Sequence, residues 1–471
     1  MSLILLLLIP VIFGIVNFGV KNEKNTKVIA LIGAITTLII AVMAFSGLEE
    51  GGVLKVDYPW LPSIGASFNL EANGGALLMT LLMAITFVLI FFAQWNKNIN
   101  NANRFFGLLN LSLAGLMGVF LANDLLLFYF FWELALIPVY FLAGQWGGKD
   151  KVKASFKFFV FTFFGSLLML GGLIFLFVNN ANSAFDYASI MQTGSLLAPE
   201  IQSTLFVLFF LAFGIKMPIF PLHSWQPLAY EQSATPVTIV MSALMVKMGL
   251  FAVLKWLIPL FPGVNPVFFN VIMILALFNI IYGSLLAMTQ SNLKRLVAYS
   301  SLAHVGLMIM GAFAQNDYAT EGLYLQMFNH GIIVTGLWLL VDFIENRYHT
   351  QDMKELGGMA NIAPKAAITM VVLAFATIAL PMTNGFVGEF LLFLGIFHSQ
   401  FEYKVVYMII AGLGIILGAI YMLNMVQKVA YGQKNDKKIS DLVWNEQLSM
   451  YLIVIIIMVL GFYPNLILNI L

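Results

Sequence analysis

Six ionisable side chains stand where nothing nearby would solvate them: Glu133 in FYFFWELALIPVYFL, Lys216 in FGIKMPIFP, Lys247 in SALMVKMGLF, His304 in YSSLAHVGLM, His330 in MFNHGIIV and Glu389 in NGFVGEFLLF. A charge at the centre of an apolar helix costs about 2.5–3.5 kcal/mol even on a lenient insertion scale. The chemistry these types share is proton transfer. An ammonium facing a carboxylate keeps its proton, whereas one left alone in a low-dielectric interior gives it up, so a small movement of a neighbouring charge fills or empties it. Neutral imidazoles can accept such a proton and relay it. Glu389 is then the terminal carrier. The bland alternative is ion-pair glue between helices, or a histidine that merely donates a hydrogen bond in a packed interface. A fold seeking only stability replaces such groups with apolar residues. Six of them on six segments therefore point to a lipid-embedded proton or ion path.

The elements that hold them follow from composition. The chain has 471 residues, 61% hydrophobic and 10% charged, against about 45–50% and about 25% in soluble domains. So much apolar surface requires lipid, and the chain reads as an all-α polytopic membrane protein. A net charge of +1 argues against nucleic-acid partners, and the absence of Cys excludes disulfides, thiolate metal sites and iron–sulfur ligation. Any redox metal would hang on five His. With about 20 apolar residues needed per crossing, about 14 transmembrane helices are predicted near 2–19, 28–46, 75–94, 105–122, 124–143, 155–178, 203–225, 236–258, 267–289, 296–314, 322–344, 366–396, 405–427 and 449–469. Eighteen basic residues then fall in odd-numbered loops, among them Lys434, Lys437 and Lys438, and only Lys55, Lys255 and Lys404 in even ones. Basic residues concentrate on the cytoplasmic side, so both termini are expected on the non-cytoplasmic face. The remaining two basic residues, Lys216 and Lys247, lie within spans. Stretches 47–74, 179–202 and 428–448 are too short for a core of their own.

Two spans should be broken. Span 7 carries Pro218 and Pro221 just after Lys216, and span 12 carries Pro381 and Gly385 just before Glu389. Proline within a helix removes a backbone hydrogen bond and clashes with the preceding turn. The breaks lie five spans apart, as expected of two inverted five-helix repeats with discontinuous helices 7 and 12, and interrupted helices at corresponding positions mark ion sites in transporters. Pro138 is a further candidate kink, in span 5. The predicted organisation is helices 1–3 over 1–104, a first repeat over 105–258, a second over 259–427, and a last loop and helix over 428–471. Gly412, Gly414 and Gly418 within span 13 mark close helix packing rather than a nucleotide loop.

The runs FYFFWELALIPVYFLAGQWGG, FGIKMPIFPLHSWQPLAY, SALMVKMGLF, LKRLVAYSSLAHVGLMIMG, MFNHG and LPMTNGFVGEFLLF resemble, over nearly the whole chain, the antiporter-like subunits of respiratory complex I, the proton-pumping NADH:quinone oxidoreductase. The similarity is greatest to the M-type, or chain 4, members. In that family the glutamate of helix 5 pairs with the lysine of helix 7, the lysine of helix 8 lies on the central axis, histidines follow and helix 12 supplies the outlet. The resemblance carries these roles to Glu133, Lys216, Lys247, His304, His330 and Glu389. Glutamate at 389 separates this chain from L- and N-type members, which typically have lysine there. The family's P-H-x-W-L-P-D-A-H run is altered: Gln226, Leu228 and Tyr230 replace the leucine, aspartate and second histidine, although His223 stays, which argues against a histidine-based route through this loop.

The resemblance implies a multi-pass subunit of the bacterial inner (cytoplasmic) membrane that moves protons outward without a cofactor of its own. NADH, flavin, iron–sulfur clusters and quinone would belong to partner subunits, with L- and N-type chains as membrane-arm neighbours and Glu133 near one of them. Two other readings share some of these features. One is a subunit of a multi-subunit Mrp-type cation/proton antiporter; the other is a haem-binding quinol oxidoreductase subunit with His304 and His330 as axial ligands.

Overall fold

The computed structural model describes residues 1–433 and 439–471; Lys434, Lys437 and Lys438 lie outside the described residues. Hydrocarbon offers no partner to a free backbone N–H or C=O, so a chain this apolar must close its hydrogen bonds within helices. Among the described residues, thirteen helices are long and apolar enough to cross a membrane. In chain order the principal elements are α1 (Ser2–Gly19), α2 (Glu23–Ser46), β1 (Leu54–Leu61), β2 (Ala66–Ala72), α3 (Gly74–Ala93), α4 (Ala102–Leu121), α5 (Leu125–Gln145), α6 (Lys151–Val178), α7 (Tyr187–Leu196), α8 (Pro199–Lys216), α9 (Gln226–Gln232), α10 (Thr235–Leu260), α11 (Val267–Thr289), α12 (Leu293–Ala314), α13 (Asp317–Tyr348), α14 (Pro364–Thr377), α15 (Asn384–His398), α16 (Lys404–Val429) and α17 (Trp444–Phe462). The two shorter apolar helices, α14 and α15, are the halves of the broken twelfth span, which brings the spans to fourteen.

Both predicted interruptions are present. The seventh span stops at Lys216, runs irregularly through 217–225 and resumes as α9. Across the break Asn279 of α11 stands in for the lost helix: its Nδ2 donates to Pro218 O at 3.1 Å and its Oδ1 accepts from Phe220 N–H at 2.6 Å. At the second break Asn329 of α13 donates to Asn384 O at 2.7 Å and accepts from Asn384 Nδ2 at 3.0 Å. At each break a buried asparagine of a neighbouring helix thus takes up part of the exposed polar backbone.

The loops sort by parity. Residues from loops 3, 5, 7, 9 and 11 line one polar vestibule, whereas on the opposite face Ser67 N–H donates to Asp124 at 3.0 Å and Leu125 N–H donates to Phe185 O at 2.8 Å, joining loops 2, 4 and 6. Two segments that hydropathy left as plain connections are ordered on that even-loop face: the β1–β2 hairpin, paired antiparallel from Leu54↔Ala72 to Leu61↔Ala66, and α7. A correction concerns Lys255, which sequence counting placed among the loops. It lies inside α10, in a segment wound as π-helix over Val253–Leu257. A second π-wound segment, Val240–Met245, precedes Lys247 in the same helix. Nothing in the side-chain pattern announces either, because π-windings are set by tertiary contacts.

Candidate proton row

Lys247 is fully buried in α10, and its Nζ donates to His330 Nδ1 of α13 at 2.8 Å and to Ser242 O at 3.2 Å. A five-residue offset misses in an α-helix, where 3.6 residues make a turn; the π-winding over Val240–Met245 brings the Ser242 carbonyl under the lysine. Hydrogen bonds to a charged group are worth about 1.5–3 kcal/mol each. Two of them offset a mid-membrane penalty of about 2.5–3.5 kcal/mol, so an ammonium can be held at this place.

The row continues on neighbouring helices. Ser301 Oγ of α12 lies 3.3 Å from His330 Nε2, and the His330 and His304 rings stand 5.9 Å apart between centroids. His304 Nδ1 donates to Glu389 Oε1 of α15 at 3.1 Å, and Gln326 Nε2 donates to the same oxygen at 3.4 Å. Small voids adjoin this part of the row. One of about 30 Å³ is walled by His304, Glu389, Thr377 and Tyr421 among others, and one of about 10 Å³ by Ser300, His304, Gln326 and His330. The larger has room for a water molecule. Both ring nitrogens of His330 are engaged, Nδ1 by Lys247 and Nε2 by Ser301, which leaves neither of them for an axial bond to a haem iron.

The other two candidates stand apart. Lys216 is 2% exposed, yet its Nζ has no hydrogen-bond partner among the described residues. The α5 helix offers it the ring of Trp132, 5.6 Å away, rather than the carboxylate of the next residue, and Phe158 of α6 adds a second ring at 5.7 Å. Cation–π contacts are worth about 0.5–2 kcal/mol, less than the cost of burial. Glu133 Oε1 is likewise buried without a partner. The direct Glu133–Lys216 ion pair implied by the family resemblance is therefore not formed, and neither Lys216 Nζ nor Glu133 Oε1 has a hydrogen-bond partner among the described residues. The structure brings together Lys247, His330, His304 and Glu389 and leaves this pair open.

Lys216 and Lys247 belong to helices that touch. A Cβ on Gly249 would lie 2.7 Å from Phe213 O and 3.0 Å from Met217 N, so only glycine permits this approach of α10 to the end of α8. Gly249→Val is expected to push the helices apart, destabilising the protein by about 1–3 kcal/mol, as overpacking does. A lowered thermal midpoint of the purified assembly checks this.

Sequence reasoning missed Ser242, Ser301, Gln326 and Tyr421. Two carried a signal: Gln326 precedes His330 by four residues and Ser301 precedes His304 by three, spacings that share a helix face. At the odd-loop face the vestibule, about 880 Å³, is lined by Lys97, Asp342, Lys294, Glu345, Glu231 and the first turn of α10 at Thr235 and Pro236, among others. Three ion pairs stand at it: Lys97 with Asp342, Lys294 with Glu345 at 2.7 Å and Arg295 with Glu231 at 2.8 Å. From it a hydroxyl ladder follows α10 inward. Thr238 Oγ1 donates to Tyr230 O at 3.1 Å, Ser242 Oγ donates to Thr238 O at 2.7 Å, and Ser242 O receives Lys247.

Residues 122–416 match the family described as NADH:quinone oxidoreductase/Mrp antiporter, TM. The chain is 34% identical to the NADH-quinone oxidoreductase subunit M of Rhodobacter capsulatus, over 95% of this chain and 89% of that protein. Its structure resembles a chain of respiratory complex I from Thermus thermophilus with a TM-score of 0.91 at 27% identity, covering 100% of this chain and 97% of that one. A chain of the Mrp complex from Dietzia sp. DQ12-45-1b gives 0.89 over 100% of this chain and 95% of that one, but at 18% identity, which is a likeness of fold alone. Fold therefore admits both assemblies, and sequence identity over nearly the full length separates them: the chain belongs to the M-subunit family of NADH-quinone oxidoreductases.

Proposed function

We propose that this subunit itself carries protons, taking them from the cytoplasm at the odd-loop vestibule and releasing them outward beyond Glu389. The intake follows the face of α10 that carries Thr238 and Ser242 to Lys247, with water as the carrier between those hydroxyls and the lysine. From there a proton passes to His330, across the small void that both rings line to His304, and on to Glu389. The observation that carries this reading is the run of contacts from Lys247 to Glu389, in which only the step between the two imidazoles needs a bridging molecule. Glu133 and Lys216 form the control element: closing the pair stabilises an ammonium beside α10, and that charge repels a proton on Lys247. The driving force comes from NADH oxidation and quinone reduction in partner subunits, which hold the flavin and iron–sulfur centres. L- and N-type chains flank this one in the membrane arm, both termini lie outside, and residues 105–258 and 259–427 act as inverted halves.

The test is to purify the native assembly and reconstitute it in vesicles. Flavin and iron–sulfur subunits are expected to copurify, and NADH with quinone is expected to drive proton uptake into the vesicle lumen by the outward-facing population. An assembly that lacks those subunits and exchanges sodium for protons without NADH would overturn the reading.

A further inference from the structure

The α10 helix is polar over one half and apolar over the other. Between the vestibule and Lys247 it presents Thr235, Thr238 and Ser242, whereas from Met248 to Leu254 it carries no polar side chain. Around that second half lies an aromatic layer. The Phe251 ring is 4.8 Å from Phe120 and 6.4 Å from Tyr324, and Trp256 is 5.5 Å from Phe128 and 5.2 Å from Tyr187. Phe251, Phe120, Phe128 and Trp256 are all buried. Against the rings of this layer, beside Trp256, sits another in-span lysine, Lys255, which the proton row does not use.

Lys255 is half-buried, and no carboxylate lies within 4 Å of its Nζ among the described residues. Its nearest charged-group contacts are ring faces, Phe251 at 5.9 Å and Trp256 at 5.8 Å. The carboxylate whose field reaches it is Glu71 of β2. Glu71 is itself occupied, by Lys55 at 2.9 Å and by Asn123 Nδ2, which donates to it at 3.1 Å. The lysine therefore stands at the end of an apolar stretch of α10, and no polar side chain on its own helix connects it to Lys247.

We propose that Lys255 and the aromatic layer beneath it form an electrostatic seal that keeps protons on the even-loop face from reaching Lys247 along α10. A helix that leads protons inward from one face becomes a through-pore if its other half also conducts, and the gradient then collapses. Apolar side chains exclude the water a proton would travel on, and a fixed cation in a narrow low-dielectric mouth repels hydronium, as positive groups do in water-selective pores. The inference rests on the proposed role of Lys247, but its test needs no turnover.

The native assembly, reconstituted without NADH, is given an imposed pH step, and its decay is followed with an entrapped pH-sensitive dye. Removing this charge in a medium of intermediate dielectric is expected to raise passive proton conductance about tenfold. That rise should appear in Lys255→Met and be absent in Lys255→Arg. Native leak in an assembled Lys255→Met enzyme overturns the seal, as does a loss of pumping without added leak, which would make the lysine a carrier. If Lys255→Met fails to assemble, Glu71→Gln decides. Freeing Lys255 from that carboxylate is expected to leave the leak at or below the native level, and a rise overturns the proposal. Failure of the proton row instead appears as normal pumping by row variants with the native leak unchanged.

Discussion

Replacing Lys247 by methionine is expected to abolish proton translocation while the assembly remains intact. The substitution keeps most of the side-chain volume and removes the ammonium. His330 Nδ1 and Ser242 O then lose the partner that ties α10 to α13. A positioned acid or base is worth about 10²–10⁴ in a proton-transfer rate, so a hop from the hydroxyl ladder to His330 without it falls by at least about two orders of magnitude. Lys247→Arg separates the two things a lysine supplies here. Arginine keeps the positive charge and can reach the same acceptors, but it does not release a proton at any relevant pH. If the residue acts only as a fixed charge, arginine restores pumping; if it carries the proton, arginine fails with methionine. Proton uptake by reconstituted vesicles, scaled to NADH oxidation, gives the answer, and normal pumping by both variants would remove Lys247 from the path.

Why four of the six candidates come together is partly legible in the sequence and partly not. Each of Lys247, His330, His304 and Glu389 announces itself by cost, as one ionisable group in a helix otherwise committed to lipid or core. Proline likewise marks where spans 7 and 12 break. Hydropathy does not say how a helix is rotated about its axis, and rotation decides contact. Trp132 and Glu133 are adjacent, yet the ring faces Lys216 and the carboxylate does not make the pair. Ser242 could not be matched to Lys247 from an α-helical spacing, because the winding between them is π. Lys255 was assigned to a loop for a related reason: a positive residue near the end of an apolar run is usually the start of water, and here the helix continues past it to Leu260. The β1–β2 hairpin was hidden because its strands are short and only partly buried, so no long apolar alternation marks them.

Glu389→Gln tests the other end of the row, and its interest lies in how little it changes structurally. The amide oxygen can still accept from His304 Nδ1 and Gln326 Nε2, the volume is the same, and the adjoining cavity beside Thr377 and Tyr421 keeps its walls. A purely structural Glu389 would therefore tolerate the change, with the assembly formed and pumping retained. As a terminal carrier it would not, because an amide cannot take the proton from His304. Pumping is then expected to fall by about two orders of magnitude or more, with NADH oxidation slowing alongside it if the two processes are tightly coupled. Glu389→Asp should recover part of the loss. Its carboxylate is drawn back by one methylene, and the cavity beside it has room for a water to span the added distance to His304. Equal pumping by the glutamine and native enzymes would move the outlet elsewhere, whereas failure of both variants to assemble would make the His304–Glu389 contact a packing requirement. The ordering native, aspartate, glutamine in proton yield per NADH is expected of a carboxyl that is filled and emptied in each cycle, since shape and hydrogen bonding alone rank glutamine above aspartate at this position.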